Sequence, residues 1–188
     1  MLMVEEAYLP ITMSVPGITD AEFQRLCEQF EDYRVEYTAD GDLLVMPPTE
    51  MGTGFRNTEI TAQLRNWAIS FDDQSRVTDS STGFLLPSGA RRSPDAAWIS
   101  ESRQRQRPTC PEFVVELLSP SDRRKKIHEK MLEWIASGAK LGWMIDPRDR
   151  SVTIFRPDRE LEVRTGITHL AGEGVVDGFV LDLKRIWR

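Results

Sequence analysis

Two short apolar runs constrain this chain most: PDAAWIS at 94–100 and PEFVVELLS at 111–119. Neither alternates polar with apolar, as a half-exposed strand would. Continuous runs of this length read as central strands buried on both faces, so helices are expected above and below the sheet they belong to. Inside these runs stand two carboxylates flanked by apolar residues, Asp95 and Glu116, 21 residues apart, with Glu112 at the edge of the second run. An ionised carboxylate in apolar surroundings must be paired, metal-bound or protonated. Where these two acids go is therefore a question about function as well as fold.

The flanking segments supply the covering elements. Thr19-Asp20-Ala21-Glu22 reads as a capping box opening a short helix with Phe23, Leu26 and Phe30 on its face. YRVEYTADGDLLVMPP reads as a hairpin turning at Asp40-Gly41. Ile60, Leu64, Trp67, Ala68 and Phe71 fall at helical spacing within 53–71. STGFLLPSG reads as a strand ending in a turn. After Glu116, Ser119 offers an N-cap and Pro120 a first helical residue. That helix runs through Ile127, Met131, Trp134 and Ile135 to Gly138. LGWMID and SVTIF read as two further strands, and GFVLDLKRIW as a strand or a short helix. The sum is an α/β fold, bordering on α+β, with a mixed central β-sheet flanked by helices. One domain over 1–188 is expected: helix and hairpin about 19–46, core about 53–157, and a C-terminal extension 158–188.

Charge is unevenly spread. The chain of 188 residues carries a net charge of −6, which argues against a constitutive nucleic-acid coat. The window 91–130, however, holds ten Lys and Arg against six Asp and Glu. This one basic segment contains both carboxylates. Two acids on neighbouring strands can share a hard divalent cation, which favours oxygen ligands, activates water and polarises a phosphoryl oxygen. The plainer alternative is that Asp95 caps a turn while Glu116 pairs with an arginine. On a helical wheel anchored at Ile127, Lys130 falls at the border of the stripe formed with Met131 and Trp134. From there it can lay its stem on apolar surface and turn its ammonium to the sheet, where it would stabilise charge on a phosphate. Lys125 and Lys126 point farther away. The plainer alternative for Lys130 is a snorkelling surface lysine.

SPDAAWI, PEFVVELLSPSD and EKMLEWIASGAKLGWMIDP, with MPPTEMGTGFRNTEI and STGFLLPSG upstream, together resemble the Uma family of restriction-endonuclease-like bacterial proteins, within the PD-(D/E)xK nuclease superfamily. The resemblance spans roughly 33–157. It implies a restriction-endonuclease-like core and a DNA endonuclease using Mg²⁺, with Mn²⁺ as a substitute. It further implies Asp95 and Glu116 as metal ligands. The superfamily's usual lysine position, two residues after the Glu, holds Leu118 here, and Lys130 on the following helix takes that role. Glu59 is the candidate for the early-helix acid that completes the metal site, although the wheel puts it off its helix's core stripe.

Arg91, Arg92, Arg123, Arg124, Lys125 and Lys126 are then the candidate contacts to a phosphate backbone. Four cations opening a helix oppose its dipole, an arrangement expected where function overrides local preference. DNA is the expected partner, and a homodimer is the oligomer that cutting both strands would favour. The two histidines, His128 and His169, lack zinc spacing, and Ser119 and Ser121 lack a nucleophile's base. MLMVEEAYLP has no cationic and apolar leader pattern, and Cys27 and Cys110 read as free thiols, so a cytoplasmic protein without membrane association is expected. Two other functions fit the same carboxylates: a nuclease-fold module that binds without cutting, and a hydrolase using them as acid and base on a sugar.

Overall fold

A computed structural model of the chain describes residues 9–71 and 74–188. In chain order the elements are β1 (Ile11–Ser14), α1 (Asp20–Gln29), β2 (Arg34–Tyr37), β3 (Asp42–Met46), α2 (Met51–Phe71), β4 (Arg76–Asp79), β5 (Phe84–Leu85), β6 (Arg91–Arg92) and β7 (Ala96–Ile99). They continue with α3 (Glu101–Gln104), β8 (Phe113–Leu117), α4 (Arg124–Ala136), β9 (Leu141–Asp146), β10 (Ser151–Phe155), β11 (Glu162–Thr165), β12 (His169–Ala171) and β13 (Val180–Asp182).

The apolar runs become β7 and β8, neighbours in a six-stranded sheet ordered β11-β10-β9-β8-β7-β4. β7, β8, β9 and β10 are buried along their whole length. Only β8 and β9 run parallel, joined through the crossover helix α4. Helix α2 covers one face, with Ile60, Leu64 and Ala68 in a core shared with Trp98, Phe113 and Val115. Helix α4 covers the other, with Met131 and Trp134 in a core shared with Ala97, Val114, Leu118 and Met144. Each large side chain so buried contributes roughly 1.5–3 kcal/mol by area. The two-residue period of β8 then decides where its acid goes: Val114 and Leu118 face α4, so Glu116 does too.

Gly142 in β9 leaves room for the end of the Met131 side chain from α4, and a Cβ there would also come within 3.4 Å of Val114 Cγ2.

A second sheet, ordered β1-β3-β2-β6-β5, stands beside the first. The hairpin β2–β3 turns through Gly41 at φ 91°, and α1 begins at the Thr19 capping box, with Thr19 N donating to Glu22 Oε2 at 2.9 Å. β12 and β13 form a separate antiparallel pair, so GFVLDLKRIW starts as strand.

Three features differ from expectation. The edge strands β1 and β4, of four residues each, are too short to stand out in the sequence. Helix α4 starts at Arg124 rather than at Ser119–Pro120, with Arg123 at its N-cap. The intervening residues close a turn instead, in which the Asp122 carboxylate accepts from Ser119 N at 2.7 Å. Asp122 thus satisfies a loop donor and does not serve the helix's first turn.

Candidate active site

Asp95 lies one residue before β7, after Pro94, which has no N–H to give the ladder. Ala96 pairs with Val115, and continuing that antiparallel register sets Asp95 opposite Glu116. The aspartate substitutes for the missing ladder bond: its backbone N–H donates to Val115 O at 3.1 Å, and its Oδ2 accepts from Leu117 N at 2.8 Å. Its Oδ1 accepts from Asn57 Nδ2 at 3.2 Å. The carboxylate is thereby oriented on both oxygens.

Glu116 is held from above by one helix. Trp134 Nε1 donates to its Oε1 at 2.8 Å, and Lys130 Nζ stands 3.0 Å from Oε1 and 3.2 Å from Oε2. Lys130 is 8% exposed, so its ammonium is inside the protein and not at the surface. Its remaining donors reach Glu36 Oε1 at 2.9 Å and Ser93 O at 2.8 Å. Trp134 and Lys130 are one turn apart on α4, which is why one helix face can grip one carboxylate twice.

Glu36, on β2, is a member of this cluster that the sequence reading missed. It also accepts from Arg92 Nη1 at 3.1 Å and Ser93 N at 3.3 Å. Burial alone would raise its pKa, but Lys130, Arg92 and Arg34 outweigh burial and hold it below the usual carboxylate range. Glu116 goes the other way. Burial pushes its pKa up to about 7, and the neighbouring Asp95 and Glu36 charges add to that, against Lys130 and the Trp134 hydrogen bond. Burial also raises Asp95, against Arg34 and Lys130. Burial would lower the pKa of Lys130 itself, but Glu116 and Glu36 reverse this and raise it.

Two sets of expected site residues lie elsewhere. Glu59 faces away from the acids, accepting from Gln63 Nε2 at 3.3 Å and standing 3.4 Å from Arg185. The α2 residue that does reach Asp95 is Asn57, on the buried stripe with Thr53, Ile60, Leu64 and Ala68. Arg92, expected at a phosphate backbone, is buried between Glu36 and Glu133, donating to Glu133 Oε2 at 2.6 Å. Among the other cations, Arg91 pairs with Asp20 and lies 4.8 Å over the Phe23 ring. Arg124 donates to Asp146 Oδ2 at 2.8 Å, and Lys125 stands 3.8 Å from Glu129. Arg123 and Lys126 are exposed at the start of α4. The missed residues did leave signals. Arg34 and Glu36 alternate in RVEY and so share one strand face, and Asn57 is a polar residue on an apolar stripe.

Among the described residues no three His, Cys, Asp or Glu side chains gather as a metal-binding group. Of the three expected acids, the fold brings Asp95 and Glu116 together and leaves Glu59 beside Gln63 and Arg185. The donors present still fit a hard cation. Two buried carboxylates repel one another, and Asn57 Oδ1 is buried beside them without a hydrogen-bond partner among the described residues. Mg²⁺ commonly takes one or two carboxylates and completes its shell with water.

The chain matches, over residues 20–184, the family model Uma2, described as "Putative restriction endonuclease". Among solved structures it is similar to a "putative nuclease belonging to DUF820" from Anabaena variabilis ATCC 29413. The two are 22% identical with a TM-score of 0.75, covering 90% of this chain and 97% of that one. At that identity the likeness is one of fold. No curated protein matches the chain.

Proposed function

The chain belongs to the Uma2 restriction-endonuclease family, and on that premise we propose that it is a metal-dependent endonuclease hydrolysing DNA phosphodiester bonds, of the PD-(D/E)xK type. The observation that carries the reading is the meeting of Asp95, Glu116 and Lys130 at one point between a sheet and a helix. Asp95 and Glu116 would hold Mg²⁺ or Mn²⁺, aided by Asn57 Oδ1. Such an ion, when bound, lowers the pKa of its water and polarises a phosphoryl oxygen.

The chain's own residues do the rest. Leu117 N and Asn57 Nδ2 fix the Asp95 carboxylate, so no rotamer search precedes substrate binding. Lys130, raised in pKa by two carboxylates, stays an ammonium at neutral pH. It can offset negative charge growing on the phosphate in the transition state, in a site where low water content strengthens the effect. Arg123 and Lys126, exposed at the start of α4, are placed to meet the backbone of the same strand.

A binding module that does not cut is the second reading, and one observation favours it. The three donors of Lys130 are already taken by Glu36, Ser93 O and Glu116. Supercoiled plasmid incubated with the protein and Mg²⁺ or Mn²⁺, beside Asp95→Ala and Lys130→Ala, separates the two. Metal-dependent nicking lost in both variants is the expected result. Metal binding by the wild type without nicking of any DNA form would overturn the nuclease reading in favour of the module.

A further inference from the structure

Three cations enter the acid cluster, and they are used unequally. Lys130 makes hydrogen bonds to three acceptors. Arg92 is committed to Glu36 and Glu133 on two of its nitrogens. Arg34 is different. Its Nη1 stands 3.6 Å from Asp95 Oδ1, beyond hydrogen-bond range. Its Nη2 reaches only the Met46 thioether at 3.6 Å, a weak acceptor. Its Nε is buried and has no partner among the described residues. A guanidinium carries five donors, and leaving them unmatched away from water is costly. Arg34 thus adds its charge to the cluster through the 3.6 Å pair with Asp95 while its N–H donors lack good acceptors.

This arginine faces a cleft. Arg34 is 31% exposed through its side chain, and that exposure opens into a cavity of about 680 Å³ between α1, the β2–β3 hairpin and the β5–β6 pair. Phe23, Tyr33, Phe84, Arg91 and Ser93 line it with Arg34. Its acids, Asp20, Glu31 and Asp32, are exposed to solvent along the α1 side. The cleft thus carries both signs of charge, with its acids exposed and Arg34 only partly so. Ser93 links the cleft to the Asp95–Glu116–Lys130 cluster, since its carbonyl accepts from Lys130. The volume suits a small-molecule-sized group with aromatic walls, such as one nucleotide, and not a whole duplex.

We infer that Arg34 is a phosphate-binding residue lining this cleft, receiving through its two Nη groups the phosphodiester next to Asp95 and Glu116. A guanidinium offers parallel N–H donors that match two phosphate oxygens, which an ammonium cannot reproduce. The inference deepens the nuclease reading and rests on it for the source of the phosphate. It assigns the substrate a specific entry: one strand, with a nucleotide seated among Phe23, Tyr33 and Phe84.

The test is equilibrium binding of the full chain in EDTA to three probes: a dye-labelled single-stranded DNA oligonucleotide, the same sequence with uncharged methylphosphonate linkages, and inorganic phosphate. Arg34→Met is expected to bind the charged oligonucleotide at least tenfold more weakly than wild type and to leave the uncharged one unchanged. Arg34→Lys, which keeps the charge without the fork, is expected to be several-fold weaker than wild type. Thermal unfolding read in parallel identifies any variant that does not fold, and Arg34→Lys carries the test if Arg34→Met fails to. Equal weakening for charged and uncharged probes would make Arg34 a structural residue and overturn the inference. Unchanged binding of the charged oligonucleotide in either folded variant would overturn it as well. Wild type binding neither phosphate nor oligonucleotide does the same. Wild type that binds phosphate through Arg34 but no oligonucleotide keeps the anion seat and removes the nuclease reading. Plasmid nicking undiminished in Arg34→Met keeps the nuclease and removes the seat.

Discussion

Replacing Lys130 by Met tests the physics of the cluster without reference to catalysis. The thioether side chain keeps the length and apolar stem but removes an ammonium that stands 2.9 Å from Glu36 and 3.0 Å from Glu116. The two acids are not left equally exposed by the loss. Glu36 keeps Arg92 at 3.1 Å, whereas Glu116 keeps only the Trp134 N–H at 2.8 Å. Removing one member of a buried ion pair costs about 3–5 kcal/mol, so about 3 kcal/mol is expected as a floor at any pH. A second contribution depends on pH, because Glu116 can escape by taking a proton. With Lys130 present its carboxyl sits at about 7; without it the value rises well beyond. Below pH 7 the carboxyl is protonated in both folded proteins, and both lose stability in parallel as pH rises from the unfolded value of about 4.3. Above pH 7 the wild type has released that proton and levels off, while the variant still binds one more proton folded than unfolded. Its stability keeps falling by about 1.4 kcal/mol per pH unit. The gap should therefore widen by about 3 kcal/mol between pH 7 and 9. Urea unfolding in EDTA at pH 6, 7, 8 and 9, followed by Trp fluorescence, measures it. A gap that stays constant or narrows as pH rises would refute the reasoning.

Three further outcomes follow from the same geometry. Trp134→Phe keeps the ring against Phe84 at 6.2 Å between centroids but removes the bond to Glu116, and should cost about 1.5–3 kcal/mol of unfolding free energy, read by the same urea titration. Mg²⁺ affinity should fall as pH drops below about 7, since Glu116 must give up its proton to bind metal; calorimetry at pH 6 and 8 should find the tighter binding at pH 8. Cys110 is buried with its thiol pushed up to about 12, so under native conditions a thiol reagent should label Cys27 first. Peptide mapping that finds Cys110 modified at the same rate would contradict this.

The central sheet was legible because its strands are apolar on both faces, a pattern few other structures tolerate. Asp95 and Glu116 stood out against that background, and Lys130 could be placed by helical periodicity from Ile127. What escaped notice was whatever depends on a long-range meeting. Glu36 lies 94 residues from Lys130 in sequence, on a hairpin whose charges look like an ordinary solvated face until a second sheet is set against α4. The start of α4 differs for a local reason: Ser119 and Pro120 are good helix openers, but the Asp122 carboxylate closes a turn over them and the helix begins only at Arg124. Arg92 and Glu59 lie elsewhere than expected because sign and residue type are visible in a sequence and orientation is not.

Glu116 is gripped by Lys130 and Trp134 from successive turns of one helix, and this sets a mechanical tolerance. One residue of an α-helix advances about 1.5 Å along the axis. A slide of that size would misalign these bonds, which are 2.8 and 3.2 Å long. The position of the carboxylate and the position of α4 along the sheet are therefore tied to one another.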